Sequence, residues 1–322
     1  MGKLSVEKIL LKANSHTKKG EYEEAKRLYE TILKGFPDNK RAKWRLNALN
    51  KTSTSITVED PPHERINQLM NFYKLGQLTK VVELAQVLTH QYPKAFVVWN
   101  ILGVAAAQTK QLELSLIAFR KVTRLKPDYV DAYNNMGNAL KNQGKLLEAT
   151  KAYKRAIKFK PDYPEAYNNL GTVLLDQGKS DEAIIAYNRA LELNSNYATA
   201  INNKGRAFQS QNKLDEALKL YERAISLKPD YAEAHYNMGV TLHALGKPDQ
   251  AIAACKKVLS LNSFYAEAYN YIGIILQDQG KINEAISAFD QVISLKPNHF
   301  GSHRNLSALK TFQDGDAQIF TV

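Results

Sequence analysis

Apolar residues recur along the chain at the three- and four-residue spacing that places side chains on one face of a helix. Residues 130–163 contain two such stripes: Tyr133, Met136 and Leu140 form the first, and Leu146, Ala149, Tyr153, Ala156 and Ile157 form the second. Each stripe predicts one amphipathic helix with its apolar face packed against a neighbour. The stretch is therefore expected to fold as a pair of helices.

This paired pattern returns every 34 residues, and a glycine marks the same place in each first helix. The glycines are Gly103, Gly137, Gly171, Gly205, Gly239 and Gly273. Self-similarity at a fixed period of this length is the signature of a repeat architecture. It divides the middle of the chain into six units: 96–129, 130–163, 164–197, 198–231, 232–265 and 266–299.

The ends of the predicted helices carry their own signals. The first helix of unit 130–163 is expected to stop at Gly144, in the left-handed conformation that glycine and asparagine adopt most easily. Equivalent stops are Gly178, Asn212, Gly246 and Gly280, and Lys110 is a poor residue for the same role. The second helix must end before Pro161, since proline cannot continue a helix.

Small, aromatic and proline residues recur with the repeat. Ala149, Tyr153 and Pro161 stand at positions that are similar in most units. This pattern resembles the tetratricopeptide repeat. The resemblance implies an all-α protein, a right-handed α-α superhelix, or solenoid, of stacked antiparallel helix pairs whose first helices line the concave surface.

Departures from the repeat predict how the chain is divided. We expect a divergent, basic N-terminal unit with an extra helix (1–51), a polar linker (52–61), divergent units (62–129), near-consensus units (130–299), a capping helix (300–312) and a tail (313–322). The segment SLKPNHFGSHRNLSALK resembles the junction found in bacterial proteins whose repeats precede a sulfotransferase-like or glycosyltransferase-like domain.

The net charge of +12 is concentrated near the N-terminus, where residues 1–51 hold 13 Lys and Arg against 6 Asp and Glu. Four closely spaced cations form a candidate anion patch: Lys40, Arg41, Lys43 and Arg45. They indicate either a solvated basic helix, which we favour, or a site for an anion or nucleic acid. The sequence has no apolar run of membrane-spanning length, no signal-peptide core and one cysteine, so we expect a cytoplasmic protein.

No constellation of catalytic residues emerges from the sequence. It lacks a glycine-rich phosphate loop, an HExxH motif and a GxSxG motif. His235 and His243 stand eight residues apart, without the neighbouring cysteines or acids that a metal site requires. We therefore predict a protein that is not an enzyme and that uses no cofactor and no metal ion.

Asparagines recur within the first helices, although asparagine is a mediocre helix former. The candidate groove residues are Asn134, Asn135, Asn138, Asn168, Asn169, Asn202, Asn203, Asn237, Asn270 and Asn305. The series at Asn135, Asn169, Asn203, Asn237 and Asn305 resembles the asparagine ladder in the repeats of O-linked N-acetylglucosamine transferases. The resemblance implies that these amides grip a peptide backbone. The alternative is hydrogen bonding between helices. In the first case, alanine at the first four positions should weaken binding and leave stability almost unchanged.

The charged residues of the first helices argue against one class of ligand. Tetratricopeptide domains that clamp a carboxylate resemble one another in a set of lysines, asparagines and an arginine, and this sequence lacks the cations at the matching positions. Instead, acids stand at the N-termini of first helices: Asp131, Glu165, Glu233 and Glu267. They complement the helix dipole. If they also border the groove, they favour a basic or neutral ligand.

These patterns predict a scaffold that binds an extended peptide or a partner segment in its concave groove. A second hypothesis is the substrate-recognition arm of a larger transferase whose catalytic domain is absent from this chain. A third is anion or nucleic-acid binding by the basic N-terminus, although we do not expect nucleic acid to be the main partner. The sequence leaves the partner and the oligomeric state open.

Overall fold

The computed structural model describes the backbone of residues 3–18, 21–53 and 61–319. These residues form eighteen α-helices and no strand, which confirms the predicted all-α class. The helices are α1 (Lys3–Lys18), α2 (Tyr22–Gly35), α3 (Lys40–Ser53), α4 (His63–Lys74), α5 (Leu78–Gln91), α6 (Phe96–Gln108), α7 (Leu112–Leu125), α8 (Val130–Asn142), α9 (Leu146–Phe159), α10 (Pro164–Asp176), α11 (Ser180–Leu193), α12 (Ala198–Ser210), α13 (Leu214–Leu227), α14 (Ala232–Ala244), α15 (Pro248–Leu261), α16 (Ala266–Asp278), α17 (Ile282–Leu295) and α18 (Phe300–Ile319).

The chain forms two compact units, Met1–Ala105 and Ala106–Val322. In the first, α1, α2 and α3 enclose a small apolar core that includes Ala25 and Tyr29, both fully buried. The hydroxyl of Tyr29 donates a hydrogen bond to Asn14 Oδ1 at 2.7 Å. Helices α4 and α5 form the next pair, with Gly76 in the left-handed conformation between them. Most of the predicted polar linker 52–61 lies outside the described residues.

The second unit repeats one arrangement. Each first helix packs against its own second helix, and each second helix packs against the next first helix. Successive first helices also contact one another, α8 with α10, α10 with α12, α12 with α14 and α14 with α16. Because successive first helices contact one another, the first helices lie on the inner side of the curved stack. The pairs build the α-α superhelix that the 34-residue period predicts.

Close packing within each pair depends on a glycine facing an aromatic ring. A Cβ atom added to Gly137 would lie 2.5 Å from Cε1 of Tyr153, which is fully buried. The Tyr153 hydroxyl reaches across to the first helix and donates to Asn138 Oδ1 at 2.7 Å. The glycine thus permits the close approach of the two helices, and the tyrosine ring fills the space beside it.

The turns between paired helices use the left-handed conformation that the sequence predicts. Gly144, Gly178, Gly246 and Gly280 all have φ between +72° and +76°. Two units adopt the same turn without glycine, at Lys110 (φ 62°) and Asn212 (φ 59°). A side chain with a Cβ atom is strained in this region, by about 1–2 kcal/mol for a residue other than glycine or asparagine.

We therefore expect Lys110→Gly to stabilise the protein. The expected gain is about 0.5–1 kcal/mol, because relief of the strain is partly offset by the greater freedom of glycine in the unfolded chain. Asn212→Gly is the matched control and should change stability less, since asparagine tolerates this conformation. Chemical denaturation of both variants measures the difference. Equal effects at the two positions would contradict the explanation.

The last helix is longer than predicted. It begins at Phe300, as expected for the capping helix 300–312, but it continues to Ile319 through most of the predicted tail 313–322. A single glycine such as Gly315 costs a helix only about 1 kcal/mol and does not have to end it. Leu306 and Leu309 of this helix join the apolar core formed with α16 and α17. Within the described residues, no helix is both long enough and apolar enough to cross a lipid bilayer.

Candidate functional site

Paired asparagines connect consecutive first helices on the inner side of the second unit. The second asparagine of each pair donates from Nδ2 to Oδ1 of the first asparagine in the preceding unit. The three bonds are Asn169 to Asn134, Asn203 to Asn168 and Asn237 to Asn202, each 3.0 Å long. We call these three hydrogen bonds the rungs. They hold four successive first helices, α8, α10, α12 and α14, in one register.

Burial separates the members of the series. Asn134, Asn168 and Asn202 are 7%, 5% and 0% exposed. They lie between helices and bond to the next unit, so their assignment to the surface of the groove must be corrected. Asparagine is found here because an amide can accept from one neighbour while its own donors serve other groups.

The second members lie closer to the surface. Asn135, Asn169 and Asn237 are half-buried, whereas Asn203 is buried and donates to two acceptors, Asn168 and the hydroxyl of Thr172. Asn135 makes no side-chain hydrogen bond within the described part of the chain. Because Asn169, Asn203 and Asn237 carry the rungs, alanine at these positions will cost stability. The rungs thus favour the alternative of hydrogen bonding between helices, and we expect the four alanine changes to lower stability.

One rung is replaced by an aromatic pair. Tyr236 and Tyr271 occupy the positions that asparagines hold in the preceding units, and their rings meet edge to face at 6.0 Å. The next asparagine, Asn270, accepts a hydrogen bond from the hydroxyl of Ser302 at 3.0 Å instead of pairing with Asn305, which is half-buried. Tyr271 interrupts the series of asparagines in the sequence. In the structure it joins α14 and α16 through an aromatic contact in place of a hydrogen bond.

A row of half-buried tyrosines and exposed acids runs along the N-terminal ends of the first helices. Tyr163 donates from its hydroxyl to Asp131 Oδ1 at 3.1 Å. Burial raises the pKa of Tyr197, and the negative charge of Glu165 raises it further. Both effects disfavour the phenolate, so these tyrosines remain neutral hydrogen-bonding groups at physiological pH. Asp131 and Glu165 therefore lie beside these tyrosines, and a place for the acids on the border of the groove stays a prediction.

A second set of contacts between units was missed by sequence reasoning. Glutamines in the turns donate from Nε2 to an acid 30 residues earlier, at the start of the preceding second helix. The pairs are Gln143 with Glu113 (3.1 Å), Gln211 with Asp181 (2.7 Å) and Gln279 with Asp249 (3.1 Å). The signal in the sequence that could have predicted these contacts is the recurrence of a glutamine 30 residues after an acid.

The basic patch lies on α3 in the first compact unit. Its four members, Lys40, Arg41, Lys43 and Arg45, are all exposed. Arg41 is 3.5 Å from the carboxylate of Glu7, and the guanidinium of Arg45 lies over the ring of Trp44, 5.6 Å from its centre. The ion pair with Glu7 offsets one of the four positive charges. Among the described residues, no group of three or more His, Cys, Asp or Glu side chains is placed to hold a metal ion.

Comparison with known families identifies the repeat. Models described as tetratricopeptide repeats match residues 10–46, 97–129, 118–151, 137–178, 164–197, 205–246, 232–265 and 266–299. These ranges cover well over half of the chain. The chain belongs to the tetratricopeptide repeat family. The rungs therefore join consecutive tetratricopeptide units, and the resemblance noted in the sequence is confirmed.

Solved structures with the same tetratricopeptide fold are similar over most of the chain. A chain in the crystal structure of the APC/C hetero-tetramer Cut9–Hcn1 is 17% identical over 94% of this chain, with a TM-score of 0.64. This protein spans 55% of the length of that chain. A tetratricopeptide repeat protein from Parabacteroides merdae is 18% identical, with a TM-score of 0.66, over 77% of this chain and 98% of the other. No curated protein matches the sequence.

Proposed function

We propose that this tetratricopeptide protein is a non-catalytic cytoplasmic scaffold that binds an extended segment of a partner protein along the inner face of residues 130–299. A tetratricopeptide scaffold fits protein–protein interaction in general. The observation that carries the narrower proposal is the continuous series of amides across four first helices. An amide offers the donor and acceptor groups that an extended backbone requires.

The hydrogen-bonding capacity of the amides supports this proposal. Asn169 uses one of its two amide hydrogens on Asn134, and Asn237 uses one on Asn202. Each retains a second hydrogen and is half-buried, not enclosed. Asn135 retains both of its amide hydrogens. The rungs fix the amides of Asn169 and Asn237 in place, so that a ligand need not order them on binding.

Two variants test the proposal against a partner peptide selected from a random display library. Thr199 is exposed at the start of α12, in line with the acids of the other first helices. Thr199→Trp should obstruct the inner face and weaken binding at least about tenfold, the effect of roughly 1.4 kcal/mol of steric cost. Lys219→Trp, at an exposed position on the second helix α13, is the control. Equal affinities of the two variants would place the binding surface elsewhere.

The second variant tests the role of the amides. Asn135→Ala removes an amide that carries no rung, so the fold should keep its stability. Loss of one hydrogen bond should weaken binding about two- to tenfold, since a bond contributes about 0.5–1.5 kcal/mol. Calorimetric titration measures affinity and thermal denaturation measures stability. Unchanged affinity would show that the partner does not use this end of the amide series.

The two other hypotheses stay predictions. A role as the recognition arm of a larger transferase concerns chain beyond the given sequence. Binding of an anion or nucleic acid by Lys40, Arg41, Lys43 and Arg45 would weaken steeply with added salt, because each contact with a phosphate releases counterions. No specific observation favours either hypothesis over binding at the inner face of the repeats.

A further inference from the structure

The tyrosine at the end of each repeat offers one ring face to a cation, and in three repeats the protein's own lysine occupies it. Lys126 lies over Tyr129, Lys160 over Tyr163 and Lys228 over Tyr231, with Nζ 5.7, 4.9 and 5.3 Å from the ring centres. Each lysine precedes its tyrosine by three residues. We call a ring face of this kind a tyrosine seat. Contacts at these distances are favourable cation–π interactions.

Two seats are left without a lysine because asparagine replaces it. Asn194 precedes Tyr197, and Asn262 precedes Tyr265. Both asparagines turn back onto their own loop, accepting a hydrogen bond from the backbone N–H two residues later at 3.2 and 3.0 Å. Across the described residues, no lysine or arginine lies over the ring of Tyr197 or Tyr265.

The two vacant seats differ in their surroundings. Beside Tyr265, the acids Glu233 and Glu267 are already paired with Arg206 and Lys296. The ring of Tyr265 also lies against Tyr236, with the ring centres 5.6 Å apart. Both features reduce the capacity of Tyr265 to bind a cation.

The seat at Tyr197 has an acid that is still available. Glu165 lies close enough to Tyr197 for its charge to disfavour ionisation of the phenol, and it forms no ion pair with any described residue. Asp131 and Tyr163 lie beside it, joined by their hydrogen bond. A cation placed here would meet a half-buried aromatic ring and an unpaired carboxylate together.

We propose that the seat formed by Tyr197 and Glu165 binds a lysine or arginine side chain of the partner segment. The proposal rests on the proposed function of the inner face and adds the chemistry of the residue that it recognises. The protein's own lysines in three equivalent seats show what such a ring holds. The unpaired carboxylate supplies the charge complementarity, and it selects a basic segment over an acidic one.

The sharpest test fills the seat with the protein's own cation. Asn194→Lys recreates the arrangement of Lys160 and Lys228, so the fold should be unchanged. It should weaken binding of the library-selected peptide about three- to tenfold, because the new lysine competes for the ring and the carboxylate. Asn262→Lys, the same change at the other vacant seat, should leave the affinity within twofold. Glu165→Gln should weaken binding as Asn194→Lys does.

The peptide itself provides the second half of the test. We expect selected peptides to share a lysine or arginine, and replacing that residue by norleucine should weaken binding to the parent protein. The replacement should have little further effect on Asn194→Lys, because the seat is already filled. Additive losses, or equal effects of Asn194→Lys and Asn262→Lys, would overturn the assignment of the cation to Tyr197.

The outcomes separate this inference from the proposed function. If Thr199→Trp blocks binding of the selected peptides but these peptides contain no essential basic residue, the inference is overturned. The proposed peptide-binding groove then still stands. A library that yields no peptide, or only peptides that Thr199→Trp does not affect, would contradict both. Salt should weaken binding of the basic peptide to the parent more than to Glu165→Gln.

Discussion

Gly171→Ala is expected to lower the free energy of unfolding by about 2–3 kcal/mol. The added methyl group would lie 2.6 Å from Cε1 of Tyr187, a ring that is fully buried and cannot move aside. To make room, the two helices of this tetratricopeptide unit must separate, and neighbouring units depend on their spacing. The loss should exceed the gain of about 1 kcal/mol that alanine brings to a helix in place of glycine. Urea denaturation followed by circular dichroism measures it.

The repeat offers a matched control at Gly239. Here Cys255 takes the place of the tyrosine, and the nearest atom to an added Cβ is its Sγ at 3.0 Å. Gly239→Ala should therefore be close to neutral, because a small strain and the gain in helix propensity oppose one another. In a Tyr187→Cys background, Gly171→Ala should also become tolerable. A destabilisation of the same size in both units would contradict a steric origin in the tyrosine ring.

Removing the rungs is expected to have the second large effect. The triple change Asn134→Ala, Asn168→Ala and Asn202→Ala deletes the three acceptors of the rungs and leaves Asn203 with only its longer bond to Thr172. At about 0.5–1.5 kcal/mol for each bond, less about 0.5 kcal/mol gained in helix propensity at each site, the total loss should reach up to about 3 kcal/mol. Because the rungs couple neighbouring units, the unfolding transition should also become broader.

Asn188→Ala is the control for this prediction. Asn188 is exposed on the second helix α11, so its replacement should leave stability unchanged or raise it slightly through helix propensity. Hydrogen exchange of the first helices provides a local measurement, since loss of the rungs should lower protection in α10 and α12 first. If the triple variant unfolds as sharply as the parent and at the same denaturant concentration, the rungs contribute nothing to coupling.

The sequence predicts the helix pairs because their signals are local. Apolar spacing, left-handed turns and prolines all act within a few residues, and the 34-residue period repeats them. Gly144 and Asn212 occupy the turns where they were expected. The length of α18 was underestimated, because helix-stopping signals near a terminus are weak and a single glycine does not decide the matter.

The inner face was harder to predict, because its contacts join residues in different units. The sequence shows that asparagines recur, but it does not show whether an amide faces a ligand or another amide. The rung between Asn169 and Asn134 depends on the stagger of two helices, which no local pattern specifies. The same holds for the glutamine in one turn that reaches an acid 30 residues earlier.

The pairing of each rung across a boundary limits how the array can change in length. Removing the unit 198–231 would bring Asn168 next to Asn237, and these two asparagines could form a new rung. Removing 232–265 would instead leave a buried amide facing Tyr271, with its acceptor unsatisfied. Gain or loss of whole repeats therefore preserves matching contacts among the units that carry asparagines. The units 232–265 and 266–299, which meet through Tyr236 and Tyr271, must be gained or lost together.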